Sequence, residues 1–89
     1  MEKETVLYNC INSLQKIMGD IDSAMSDIEN INDDETESRD NMPENLQGSN
    51  RYYDSEEASD ELESASSELS DVISGIDSVI EHLSNARCV

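Results

Sequence analysis

Apolar residues recur at Leu7, Ile11, Leu14, Met18, Ile21, Met25 and Ile28 in the first half of the chain, and at Leu62, Ala65, Leu69, Val72, Ile76, Val79 and Leu83 in the second. The steps alternate between four and three residues, which puts each series on one stripe of a helix. The two series are mirror images: Leu7 and Leu83, Leu14 and Ile76, and Ile28 and Leu62 have numbers adding to 90, as do the pairs between them. A chain folded back near residue 45 brings these pairs level. The expected fold is all-α: an antiparallel two-helix hairpin, a coiled coil, forming one domain over residues 1–89. Its parts are a helix over 5–41, a connector over 42–49 and a helix over 50–86.

The boundaries follow from local signals. From Asn32 to Asn41 the apolar stripe is lost, so helix and frayed chain are both open there. Pro43 disfavours a helical Met42 and cannot extend the hydrogen-bond ladder. Met42 and Leu46, the apolar residues of the connector, are expected to fold inward. Ser49 is a good N-cap for the second helix, and Asp54, Glu56 and Glu57 suit its positive end. Arg87 suits the opposite end. Gly19 weakens the first helix by up to about 1 kcal/mol.

Each stripe has a third column: Cys10, Ile17, Ala24 and Ile31 on the first helix, Ser66, Ile73 and Ile80 on the second. Burying a large apolar side chain gains roughly 1.5–3 kcal/mol. A lone hairpin leaves this column wet, so self-association through Ile17, Ile31, Ile73 and Ile80 is expected, most simply as two hairpins in a four-helix bundle. The alternative is a monomer with a wet seam.

The net charge of −17, from 22 acidic and 5 basic side chains, argues against binding nucleic acid or anionic membrane and for binding basic protein surfaces. Between Asp27 and Glu63 stand 14 carboxylates against Arg39 and Arg51, a net −12. The hairpin gathers them at its connector end. Spread over roughly 27 Å of rod, they give about one charge per 2 Å, close to the one per about 1.7 Å of duplex DNA. The candidate partner-binding residues are Asp33, Asp34, Glu35, Glu37, Asp40, Glu44, Asp54, Glu56, Glu57, Asp60, Glu61 and Glu63, with Tyr52 and Tyr53 as aromatic anchors. The alternative is a solvated acidic cap.

Catalytic chemistry finds little support. A Cys10–His82 contact is geometrically open, but a two-helix rod has no cleft for an orienting group and an oxyanion site. Cys10 reads as a small core residue and His82 as a flank residue. Cys10 and Cys88 lie about 12 Å apart in the expected register, too far for a disulfide. The Asp-rich runs lack the spacing of a calcium loop, and Gly48 stands alone. No cofactor or metal is expected. No signal peptide or membrane span is recognised, so a cytoplasmic location is expected.

The connector Asp40-Asn41-Met42-Pro43-Glu44-Asn45-Leu46-Gln47-Gly48-Ser49, followed by Arg51-Tyr52 and Glu56-Glu57-Ala58, resembles small coiled-coil proteins of phages and mobile elements of Gram-positive bacteria. The resemblance is best over residues 40–69 and transfers no functional residue. It implies a context in which small acidic proteins, among them DNA-mimicking anti-restriction and anti-CRISPR proteins, inhibit host defence. The leading expectation is a non-enzymatic inhibitor whose acidic end occupies the basic nucleic-acid groove of a CRISPR effector or restriction enzyme. The alternative is a structural or adaptor coiled coil, in a virion or as a secretion accessory, binding through its apolar columns. The secreted hairpins with a Trp-x-Gly turn share the shape, but this connector lacks that motif.

Overall fold

The computed structural model describes residues 2–86. Helix α1 spans Lys3–Asp40, a 3-10 turn spans Glu44–Leu46, and helix α2 spans Asn50–Asn85. The two long helices run antiparallel and pack along their length, giving a rod of 70 × 15 × 14 Å. The antiparallel hairpin read from the heptads is therefore the fold. Arg87 and Cys88 lie outside the described residues, as does any statement about a helix end or thiol there.

Helix α1 continues without a break through the segment that loses its apolar stripe, as far as Asp40. Asn41 closes it, its N–H donating to the carbonyl of Glu37 at 3.0 Å, and the next N–H, that of Met42, donates to the carbonyl of Arg39 at 3.1 Å. Pro43 stands at φ −56° and ψ 145°, off the helical path. Three backbone bonds tighten the connector: Leu46 N to Pro43 O at 2.9 Å, Gln47 N to Glu44 O at 3.2 Å, and Ser49 N to Leu46 O at 3.0 Å. Ser49 is extended, at φ −81° and ψ 161°, and its hydroxyl accepts from Tyr52 N. It is the N-cap that the sequence predicts. The helix begins at Asn50 as expected, so Asp54, Glu56 and Glu57 follow from its second turn and the first turn carries no acidic residue. Met42 is half-buried, but Leu46 points outward and is 44% exposed. The 3-10 turn directs it away from the helix pair.

The seam of α1 is Leu7, Ile11, Leu14, Met18, Ile21, Met25, Ile28, Asn32, Glu35, Arg39 and Met42, each half-buried. The four-three alternation does not stop at Ile28; polar residues occupy its last turns. On α2 the seam is Tyr52, Ser55, Ser59, Leu62, Ser66, Leu69, Ile73, Ile76, Ile80 and Leu83. Val72 and Val79, expected in the seam, are each 46% exposed. Ile73 and Ile80, expected outside it, take their places, so they are not free surface for self-association. Both choices alternate by three and four along the helix. Covering isoleucine rather than valine shields one more methylene from water at each site, and half burial makes that worth about half of the roughly 0.8 kcal/mol of a fully buried methylene.

The register also differs from the expected one. Arg39 meets Ser55, and these numbers add to 94 rather than 90. At that sum every seam residue of α1 from Ile11 to Met42 faces a seam residue of α2: Ile11 with Leu83, Met18 with Ile76, Ile28 with Ser66, Met42 with Tyr52. At a sum of 90, Ile11, Met18 and Arg39 would face the exposed Val79, Val72 and Arg51. The displacement is one helical turn, roughly 6 Å at 1.5 Å per residue.

Among the described residues no hydrophobic side chain is fully buried. Two helices alone cover only one face of each stripe, so every rung stays half wet. The two buried residues are Ser55, 7% exposed, and Ser59, 6% exposed. They are small, so the helices close in there, and Arg39 lies over them.

Candidate functional site

The connector end is assembled from the last three turns of α1, the 3-10 turn and the first four turns of α2. Asp33, Asp34, Glu37 and Asp40 on α1, Glu44 in the connector, and Asp54, Glu56, Glu57, Asp60, Glu61 and Glu63 on α2 are all exposed. The fold therefore brings the candidate carboxylates to one end and leaves their charges in water. Glu35 differs: it occupies a seam position and is half-buried, so it is the least available of the set. Tyr52 is half-buried in the last seam rung, whereas Tyr53 is 59% exposed. Their rings meet edge to face, with centroids 6.1 Å apart and planes at 86°. Tyr53 is thus the aromatic that a partner can reach, braced by Tyr52.

Arg39 has a role beyond offsetting charge. Its Nη1 donates to the carbonyl of Ser55 at 3.0 Å, to Ser55 Oγ at 3.2 Å and to Ser59 Oγ at 2.9 Å. The guanidinium thus reaches across the seam to neutral oxygens. It stitches the two acidic segments together where apolar packing has run out. The signal for this in the sequence is faint: Asn32, Glu35, Arg39 and Met42 keep the four-three spacing after the apolar residues end.

Between the helices lies a groove of about 350 Å³, bordered by Asp22, Glu29 and Glu63 and floored by Asn32, Leu62 and Ser66. Ser66 is too short to fill the space opposite Ile28, which opens the groove. Asn32 Oδ1 is enclosed there without a hydrogen-bond partner. The groove is acidic at its rim and has no basic side chain among its lining residues.

The other chemical candidates sit apart. Cys10 is an exposed free thiol rather than a core residue, and His82 is exposed on α2. Cys10 falls just before a seam position, where a two-helix rod provides no cover. Among the described residues no group of three or more His, Cys, Asp or Glu could hold a metal ion. No described helix is long and apolar enough to cross a membrane. Compared with known proteins, the chain matches no family model, no curated protein and no solved structure.

Proposed function

We propose that this protein is a non-enzymatic inhibitor whose acidic end occupies a basic nucleic-acid groove on a host protein. The observation that carries the reading is the connector end itself. Two continuous helices hold side by side the carboxylates that the sequence separates, and all 14 from Asp27 to Glu63 except Glu35 are exposed. A basic groove built for phosphates meets a comparable linear charge there, about one per 2 Å of rod against one per about 1.7 Å of duplex. Helical support matters because a disordered acidic cap would lose chain entropy on docking. Tyr53 supplies an apolar contact within the charged field. The target class is a CRISPR effector or restriction enzyme in a bacterial cytoplasm, consistent with the phage-like connector string.

The test is competition. Purified effectors and restriction enzymes are titrated with the protein, and duplex or guide-RNA binding is followed by fluorescence anisotropy. A true target releases its nucleic acid, and the inhibition weakens steeply with salt through counterion release. The variant D54N/E56Q/E57Q/D60N/E61Q, which leaves the seam intact, abolishes the effect. Full inhibition by that variant contradicts the mechanism.

A second reading rests on a different observation. Ile17 and Ile31 on α1, with Val72 and Val79 on α2, are 45–55% exposed. An adaptor coiled coil would bind through them, and substitutions there would then outweigh those at the acidic end.

A further inference from the structure

Ile17, Ala24 and Ile31 each immediately precede a seam residue of α1, namely Met18, Met25 and Asn32. Ala65, Val72 and Val79 hold the equivalent place on α2, before Ser66, Ile73 and Ile80. In antiparallel helices the residues just before such positions flank the seam on the same side. The opposite flank is the acidic groove, where Asp22, Glu29 and Glu63 come together from the two helices. The rod is therefore two-sided, with carboxylates along one flank and an apolar strip along the other. Cys10 and Ser38 extend the strip on α1, and Ala58 and Ala86 extend it on α2. None of these positions is acidic, in a chain with 22 acidic side chains.

We propose that this strip binds a second copy of the chain, packed antiparallel, to make a four-helix bundle with an acidic end at each pole. The proposal is independent of what the acidic ends bind. Three observations select this occupant. First, no described hydrophobic residue is buried in the single hairpin, so the core is incomplete. Second, the area suffices. From Cys10 to Ser38 the strip runs about 42 Å, and the rod is 15 Å wide. That offers roughly 600 Å² per copy, about 1,200 Å² in all, the lower bound of a specific interface. Third, charge fixes the direction. Parallel packing would set two ends of net −12 side by side, while antiparallel packing lays each over the less acidic half of its partner. The strip has matching internal symmetry. Ile17 and Ile31 lie seven residues either side of Ala24, and Val79 and Ala65 lie seven either side of Val72. A dyad at that level stacks α1 on α1 of the second copy, with the Ala24 residues adjacent.

Sedimentation equilibrium of the full chain, at micromolar concentration in low and high salt, tests the pairing. The expected mass is twice 9.9 kDa, with the dimer strengthened by salt as repulsion is screened. V72Q/V79Q, with helicity checked by circular dichroism, weakens the dimer by about tenfold or more. Direction is read by mild oxidation of A24C and, separately, S38C, both with Cys10 and Cys88 replaced by serine. A24C yields a disulfide-linked dimer and S38C does not. A helical monomer under all these conditions overturns the proposal, as does a dimer indifferent to V72Q/V79Q. Cross-linking through S38C but not A24C overturns the antiparallel arrangement.

Discussion

Replacing Arg39 by alanine removes the polar stitch that spans the helices at the acidic end. Its Nη1 has two hydrogens for three acceptors at 2.9, 3.0 and 3.2 Å, so at most two full bonds are lost. Hydrogen bonds to a charged group contribute roughly 1.5–3 kcal/mol. The guanidinium is only half-buried, and the freed serine hydroxyls can turn back onto their own helix. Both factors place the cost near the lower value, about 2 kcal/mol. Arg39→Lys recovers part of the loss, because the three contacts come from one nitrogen and an ammonium is likewise a single nitrogen with enough N–H groups for them. Urea unfolding followed by helical circular dichroism, at fixed protein concentration, reads the loss as a midpoint lowered by about 1 M, with the slope for a small domain taken as about 2 kcal/mol per M. A double-mutant cycle with Ser59→Ala isolates the contact, with an expected coupling of about 1 kcal/mol. An unmoved midpoint for Arg39→Ala, or strictly additive losses in the cycle, would refute the stitch and the register it defines.

Three further outcomes test the seam and the helices that carry it. In monomeric solution Ile73→Ala costs about 1–2 kcal/mol, below the range for fully buried sites; Val72→Ala stays within about 0.5 kcal/mol, and equal losses at both positions would contradict the seam assignment. Asn32→Leu removes an enclosed oxygen without a partner and raises the midpoint by the equivalent of about 1 kcal/mol, while a second set of cross-helix NOEs reports a loosened register. Gly19 and Gly75 have nothing within 4 Å of an added Cβ, so each glycine-to-alanine change stabilises the helix by up to about 1 kcal/mol in urea unfolding.

Helix, turn and antiparallel pairing were legible in the sequence because each has a local cause. The heptad spacing defines the helices, Pro43 ends the first and Ser49 starts the second. The finer placement has no local cause. Leu62, Leu69, Ile76 and Leu83 belong to the seam under either choice of second column. Spacing cannot tell Ala65, Val72 and Val79 from Ser66, Ile73 and Ile80, since both alternate correctly. Packing against α1 decides: Ala65 and Ser66 are both half-buried, but Ile73 and Ile80 are covered while Val72 and Val79 are exposed. The one-turn displacement has the same origin, because Arg39 needs oxygen acceptors opposite and finds them at Ser55 and Ser59. The gathering of carboxylates survives that displacement, as a 6 Å slide is short beside an acidic end roughly 27 Å long. Glu35 was the member of the set that composition misplaced; its charge suggests surface, while its heptad position sets it at the seam.

The central claim is that the chain folds back in this register and so brings two separate acidic segments to one end. Methyl-resolved NOE spectroscopy on the full chain tests it most directly. The account predicts cross-helix NOEs for Ile11–Leu83, Leu14–Ile80, Met18–Ile76, Ile21–Ile73 and Met25–Leu69. Contacts from Ile11 to Val79 and from Met18 to Val72 in their place, or none between the halves of the chain, would contradict it.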